Sequence, residues 1–159
     1  MIGDWYVTGK RGAVTFEQWV GEVPEGIRND TLWKMEAYRL GLFASDLAWK
    51  DSAKLMRETR TMSIADQICR AAGNISSNVA EGYSRGTGKD RARFYEYALG
   101  SARETRDWYF KTRHVLSAKV TAHRIDPMTQ LSRLLIRMAS NERRLNHRLT
   151  KLSGPLESD

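Results

Sequence analysis

Cysteine and proline are the residues that this sequence uses least. The one cysteine, Cys69, cannot form an internal disulfide, which favours a reducing compartment. The three prolines leave the long stretch between Pro24 and Pro127 without the strongest helix breaker, which favours a helical protein. Apolar runs of membrane-spanning length are absent, and the first residues lack the pattern of a secretory signal. We therefore expect a cytoplasmic protein that has no membrane segment.

Acidic residues are in the minority. The 26 lysines and arginines outnumber the 19 aspartates and glutamates, which gives a net charge of +7. Such a charge favours polyanionic partners, nucleic acid or an anionic membrane surface, although a basic protein without such a partner has the same composition. With 159 residues, of which 41% are hydrophobic, the chain is long enough for one compact domain with a substantial core.

The first 29 residues differ in composition from the rest. Two short β-like runs, 5–8 and 13–16, flank a Gly-rich turn and predict a hairpin. Because a lone hairpin is only marginally stable in water, its aromatic residues predict that it docks on the remainder of the chain. We therefore divide the chain into an N-terminal arm (1–29), a folded domain (30–153) and a C-terminal tail (154–159).

Four amphipathic patterns follow the arm, with apolar residues at helical spacing. Asp30 or Thr31 is predicted to cap the first helix and Ser63 the second, and Asp126 with Pro127 is predicted to start the fourth. The predicted helices cover 30–57, 63–84, 89–117 and 127–152. Small residues crowd the second helix, which predicts close packing and deep burial. Long amphipathic helices joined by short connections indicate an all-α fold, an up-down antiparallel four-helix bundle.

The apolar faces of the first and fourth helices are wider than one bundle needs. Leu40 and Phe43 lie beside the core positions of the first helix, and Leu134 and Ile136 beside those of the fourth. Because such residues would stay exposed in a monomer, we expect a homo-oligomer. The core positions predicted for the fourth helix are Leu131, Leu135, Met138, Leu145, Leu149 and Leu152.

No pattern in the sequence predicts a catalytic or metal site. The turn after the second helix resembles a P-loop, but five residues rather than four separate Gly82 from the Gly88-Lys89 pair. Asp90 also stands where a P-loop has the Ser or Thr that holds magnesium. The three histidines lack metal-ligand spacing, and no serine lies in a nucleophile elbow. We expect no enzyme activity, no metal and no cofactor.

Basic residues form two groups that suit a nucleic-acid backbone. The first group, at helical spacing on one face of the fourth helix, comprises Arg133, Arg137, Arg144, Arg148 and Lys151. The second group, around the turn before the third helix, comprises Arg85, Lys89, Arg91 and Arg93. Only Glu142 offsets charge within the fourth helix, whereas a solvated face normally mixes signs. We predict that both groups bind nucleic acid; a merely solvated charged face is the alternative.

Two sequence blocks resemble a known family. The second helix contains QICRAA (67–72) followed by NISSNVAEGY (74–83), and the third contains Phe94 and then ALGSA (98–102). These blocks resemble the four-helix-bundle family named for proteins encoded in 23S ribosomal RNA intervening sequences. Asn74 stands where the family often has Ser, and the shortest members lack a counterpart of the N-terminal arm.

The resemblance implies a homopentameric ring of bundles without known enzymatic activity. A related branch, the accessory variability determinant of diversity-generating retroelements, is similar in fold and binds nucleic acid and a reverse transcriptase. The resemblance assigns no chemistry to the motif residues Asn78, Glu81 and Gly82, and we expect Asn78 and Glu81 to close polar contacts between helices. The sequence thus predicts a non-catalytic oligomer that binds nucleic acid, as an accessory to a reverse transcriptase or to an rRNA-associated element. A structural scaffold without a nucleic-acid role is the alternative.

Overall fold

The computed structural model describes residues 6–9 and 12–152. Two short strands, β1 (Tyr6–Gly9) and β2 (Gly12–Thr15), pair antiparallel. The helices that follow are α1 (Phe16–Glu22), α2 (Glu25–Arg28), α3 (Glu36–Leu55), α4 (Met62–Tyr83), α5 (Gly88–Lys111) and α6 (Ala118–Leu152). Short 3-10 helices, Thr31–Lys34 and Thr59–Thr61, precede α3 and α4. Apart from the hairpin the described chain is helical, which confirms the all-α class; the predicted tail and Trp5 lie outside the described residues.

The long helices pack in the order of the chain. α3 packs on α4, α4 on α5 and α5 on α6, and α3 also contacts α6. α4 is densely buried, as its small residues predict, and two glycines show how closely its neighbours approach. A Cβ at Gly41 of α3 would lie 2.9 Å from the amide nitrogen of Ser76, and one at Gly82 would lie 2.7 Å from Cε1 of Tyr95 in α5.

The predicted start of the first helix and the predicted cap of the second helix are wrong, and local hydrogen bonds explain both. The carboxylate of Asp30 accepts from the amide of Leu32 (2.8 Å), so it caps the first 3-10 helix, and α3 begins only at Glu36. Ser63 lies inside the first turn of α4 rather than capping it. The Thr61 hydroxyl instead donates to the carbonyl of Leu55 (2.8 Å), which ties the start of α4 to the end of α3.

The predicted start of the fourth helix at Asp126 and Pro127 is also wrong. α6 begins at Ala118, where the Ser117 hydroxyl accepts from the amide of Val120 (3.3 Å), and Pro127 lies inside the helix. A proline inside a helix removes one backbone hydrogen bond. The helix nevertheless continues because this segment is held by tertiary packing, with Arg124 and Pro127 both buried.

The N-terminal residues contribute to the main core. The ring centre of Phe43 lies 5.5 Å from that of Phe16 and 5.1 Å from that of Trp19, and both α1 residues are buried. Trp19 also donates from Nε1 to Oδ2 of Asp46 in α3 (2.5 Å). The expectation that Leu40 and Phe43 leave apolar surface uncovered is therefore wrong, because α1 and its neighbours bury that face within one chain.

The core face of α6 ends sooner than its periodicity predicts. Leu131 and Leu135 are fully buried, but Leu145 and Leu149 are 51% and 66% exposed, so their assignment to the core is wrong. Gly88, the first residue of α5, already packs against Asn146, and α6 extends beyond the end of its partner. Leu145 and Leu149 continue the apolar register of α6 but lie mostly on its exposed surface. The side chain of Leu152 lies outside the described residues.

Candidate nucleic-acid interface

Five exposed basic side chains run along the outer face of α6. We call this set the basic stripe: Arg133, Arg137, Arg144, Arg148 and Lys151. The stripe spans about 27 Å at the α-helical rise of 1.5 Å per residue. It lies opposite the buried Leu131 and Leu135, as the helical period requires. No carboxylate of the described residues pairs with any of the five.

The acid that the sequence places among the basic residues of the fourth helix faces away from the basic stripe. Glu142 faces α5, where its Oε2 accepts from Nε of Arg91 (2.8 Å). Arg91 also donates from Nη1 to the carbonyls of Arg85 (3.1 Å) and Gly86 (3.3 Å). Through these three acceptors Arg91 fastens the α4–α5 turn to α6, and its side chain is only 29% exposed.

The other basic residues near this turn, Arg85, Lys89 and Arg93, remain exposed, and two of them lie beside Phe94. Arg85 pairs with Glu81 one turn earlier, and its guanidinium carbon lies 4.8 Å from the ring centre of Phe94. The guanidinium carbon of Arg93 lies 5.5 Å from the same ring, and Tyr97 packs edge-on against it with 5.7 Å between ring centres. Cations over an aromatic ring are attracted to its face, so this cluster around the half-buried Phe94 is held in place by the side chains themselves.

A groove of about 520 Å³ separates the start of α5 from the end of α6. This α5–α6 groove is lined by Lys89, Asp90, Arg93, Glu96, Arg143, Asn146, His147 and Thr150. Arg143 donates from Nη2 to Oε1 of Glu96 (2.5 Å), and Arg93 lies 3.5 Å from Asp90. The groove thus brings Lys89 and Arg93 of the second predicted group to the basic end of α6.

Sequence reasoning missed Arg143 and His147 in this groove. Both are adjacent in sequence to members of the basic stripe, but one residue of an α-helix is rotated by about 100° from the next, so both face α5. A helical projection of α6 would have separated them from the stripe. It would not have identified Lys89 as their neighbour, since that contact depends on how α5 packs on α6.

A second missed feature is a buried polar network that joins three helices. Asp51 of α3 accepts from Nε of Arg124 (2.7 Å) and from the Tyr109 hydroxyl (3.0 Å) through the same Oδ2. Nη2 of Arg124 donates to the other carboxylate oxygen (3.2 Å). Burial, and secondarily the charge of Asp51, raises the pKa of Tyr109 well above its usual value near 10. The network is enclosed by packed side chains, so its role is to fix how α3, α5 and α6 meet.

The sequence did carry a signal for this network. Asp51 lies four residues from both Leu47 and Leu55, so it interrupts a core-facing row of α3. Arg124 lies four residues before the buried Met128 on α6. A charged residue at a core position requires a partner of opposite charge, and two such positions on different helices predict each other.

The motif residues divide into one packing residue and two surface residues. Asn78 donates from its side-chain amide to the carbonyl of Asn74 (2.8 Å), and Glu81 pairs with Arg85. Both contacts stay within α4 and the turn after it, which differs from the contacts between helices expected of these residues. Gly82 makes the close approach to α5, and there a side chain would collide with Tyr95.

A metal-binding cluster and a membrane-spanning helix are both absent from the described residues. No cluster of three or more His, Cys, Asp or Glu side chains among them has the arrangement of a metal site. No helix in the same part of the chain has the length and apolar character needed to cross a membrane.

Comparison with known proteins places the chain in a family. No curated protein matches the sequence. A crystal structure of a protein of unknown function from the S23 ribosomal protein family of Bacteroides thetaiotaomicron has a similar fold, with a TM-score of 0.61 and 19% identity. The similarity covers 65% of this chain and 97% of the other. Residues 34–137, more than half of the chain, match the family described as 23S rRNA-intervening sequence protein. The chain thus belongs to the 23S rRNA-intervening sequence protein family.

Proposed function

We propose that this protein is a non-catalytic, cytoplasmic oligomer that binds the phosphate backbone of RNA or DNA through the basic stripe. One observation carries the proposal: five exposed cations follow one helix face, and no carboxylate of the described residues neutralises them. Guanidinium groups suit phosphate because each can donate two parallel hydrogen bonds. Since the contacts are to the backbone, binding should show little base specificity.

The α5–α6 groove extends this surface. Lys89 and Arg93 stand on its α5 side, at the helix end where the backbone dipole favours anions, and Arg143 and His147 stand on its α6 side. Asp90 and Glu96 offset part of this charge, so the groove supports binding less strongly than the basic stripe does.

An oligomeric arrangement would multiply these contacts. We propose that the four long helices form an up-down antiparallel bundle, because only short connections join them, and that bundles assemble into a ring of five. Leu145 and Leu149, exposed at the end of α6, support self-association through this region. A ring repeats the basic stripe, so weak phosphate contacts gain avidity. The partner complex would be an rRNA-associated element or a reverse transcriptase with its nucleic acid.

Charge reversal on the basic stripe tests the proposal. The variant Arg137→Glu/Arg144→Glu should bind single-stranded RNA and duplex DNA more weakly than the parent. Its duplex-DNA affinity should also depend less on salt, with a log–log slope smaller by about 2, because each lost phosphate contact removes about 0.9. Helical content by circular dichroism should not change, since both side chains are exposed.

The matched control is Lys50→Glu/Lys54→Glu on α3. It reverses two exposed cations at four-residue spacing and lowers the net charge by the same amount. Unchanged binding in this control would show that the position of the charges matters. An equal loss in both variants would instead mean that only net charge acts, and no loss in either would refute the proposal.

A structural scaffold is the second candidate, and the exposed Leu145 and Leu149 favour it independently of charge. If the Arg137→Glu/Arg144→Glu variant binds as tightly as the parent while light scattering shows an oligomer, the scaffold is the better description. A mass near 18.2 kDa at micromolar concentration would refute self-assembly and with it both oligomeric descriptions.

A further inference from the structure

A second cleft lies at the opposite end of α5 from the α5–α6 groove. This Phe110 cleft has a volume of about 350 Å³ and is lined by Arg106, Asp107, Phe110, Lys111 and Ile125. Phe110 is 54% exposed although it is a large aromatic residue on a helix surface. Along α5 it is about 32 Å from Lys89 at the helical rise, so the two features are separate.

Cations are already arranged around the aromatic side chains at this end. The guanidinium carbon of Arg113 lies 4.1 Å from the ring centre of Phe110, and its Nη1 donates to the carbonyl of the same residue (2.9 Å). Nζ of Lys111 lies 4.0 Å from the ring centre of Trp108. Arg106, on the wall of the Phe110 cleft, has no ion pair or hydrogen bond with any of the described residues.

Three features at this end of α5 suit the binding of an unpaired base. An aromatic ring offers a stacking platform, an apolar wall faces it across a cleft, and cations at the rim can contact the adjoining phosphates. Phe110 provides the platform, Ile125 of α6 contributes to the wall, and Arg106 and Lys111 provide rim charge. Arg113 does not line the cleft, so it adds positive charge without filling the space for a ligand.

We propose that the Phe110 cleft binds one unpaired base of a single-stranded nucleic acid, stacked on the ring of Phe110. The inference rests on the proposed function and adds to it a preference for single strands, which a phosphate-binding stripe alone does not give. The carboxylate of Asp107 at the cleft wall can accept a hydrogen bond from an exocyclic amine, as acidic side chains do from cytosine. Ile125 is about 12 Å along α6 from Arg133, so one strand can contact both the cleft and the basic stripe.

The experiment compares two RNA probes on the full chain. Fluorescence anisotropy with labelled single-stranded RNA and duplex RNA of equal length gives the two affinities for each variant. Phe110→Ala should weaken single-strand binding by about five- to 150-fold, the range that alanine substitution of a stacking aromatic side chain produces. Phe110→Leu, which keeps apolar bulk without a ring, should fail in the same way, whereas Phe110→Trp should retain binding. Duplex binding should change little in all three.

Trp49→Ala is the matched control, because Trp49 is an exposed aromatic residue on the outer face of α3. Its single-strand affinity should equal that of the parent. The inference is wrong if Phe110→Ala binds single strands as the parent does, or if Phe110→Leu retains full affinity. The proposed function fails separately if Arg137→Glu/Arg144→Glu binds nucleic acid like the parent. If only the Phe110 variants then lose affinity for single strands, the Phe110 cleft is the binding site and the basic stripe is not.

Discussion

Replacing Asp51 by alanine should destabilise the protein far more than removing an acidic residue from its surface. The substitution deletes the acceptor of three hydrogen bonds, two from Arg124 (2.7 and 3.2 Å) and one from Tyr109 (3.0 Å). The guanidinium that remains is 2% exposed, so water cannot replace the lost carboxylate without opening the core. Removing one member of a buried ion pair typically costs about 3–5 kcal/mol, against a total stability of about 5–15 kcal/mol for a domain.

A double-mutant cycle separates this cost from the loss of packing. Arg124→Met alone leaves Asp51 buried with Tyr109 as its donor, and it should also be strongly destabilising. Asp51→Ala/Arg124→Met removes both charges, so it should cost less than the sum of the single changes, with a coupling of about 0.5–3 kcal/mol. Replacing both partners leaves no uncompensated charge in the core.

Urea denaturation followed by circular dichroism measures each free energy of unfolding. Asp66→Ala serves as the control, because the Asp66–Arg70 pair on α4 is more than half exposed and should change stability by only about 0.5 kcal/mol. If Asp51→Ala costs no more than Asp66→Ala, or if the cycle is additive, the network does not hold α3 and α6 together and the reasoning is refuted.

Two further predictions concern the core and can be checked by the same unfolding measurements. Gly82→Ala should destabilise the protein by about 1–3 kcal/mol, because the new Cβ would lie 2.7 Å from Tyr95. Gly100→Ala, which adds its Cβ in open space in the middle of α5, should stabilise the protein by about 0.5–1 kcal/mol. Equal effects of the two substitutions would contradict the close approach of α4 and α5. Burial, then the charge of Asp51, raises the pKa of Tyr109 above its usual value near 10. As pH rises above about 10, the Tyr109 hydroxyl therefore loses its proton in the unfolded chain before it does so in the folded one, and stability falls. Tyr109→Phe should make the free energy of unfolding fall less steeply above pH about 10. A pH profile equal to that of the parent would contradict this role of Tyr109.

Helical periodicity was sufficient to locate the four long helices but not their ends. The apolar spacing depends on the core face alone, which each helix keeps over most of its length. Ends depend on single hydrogen bonds and on neighbours. Aspartate is a good helix cap in general, but Asp30 caps a 3-10 helix here. Pro127 is tolerated inside α6 because the surrounding residues are buried.

The width of an apolar face did not predict what covers it. Leu40 and Phe43 suggested a subunit contact, yet Phe16 and Trp19 from the N-terminal region bury that face. Leu145 fits the core register of α6 equally well but is exposed, because α5 begins opposite residues 142–146. Both outcomes depend on where other elements start and end, which the local sequence of one helix does not encode.

The surface on which nucleic acid would bind is identified by which cations lack an acidic partner, more than by the number of cations. Each of the seven ion pairs among the described residues uses an arginine, and two of those arginines, Arg91 and Arg124, are drawn into the fold. An arginine and the acid that it pairs with contribute no net charge together. The excess charge of +7 therefore belongs to the cations outside these pairs. The basic stripe holds five of these on one helix face. The acid nearest to them in sequence, Glu142, lies on the face of α6 that packs on α5, where it pairs with Arg91. The helical register that directs Glu142 towards α5 therefore keeps a negative charge away from the basic stripe, and the ion pair with Arg91 uses that charge to fasten the α4–α5 turn to α6.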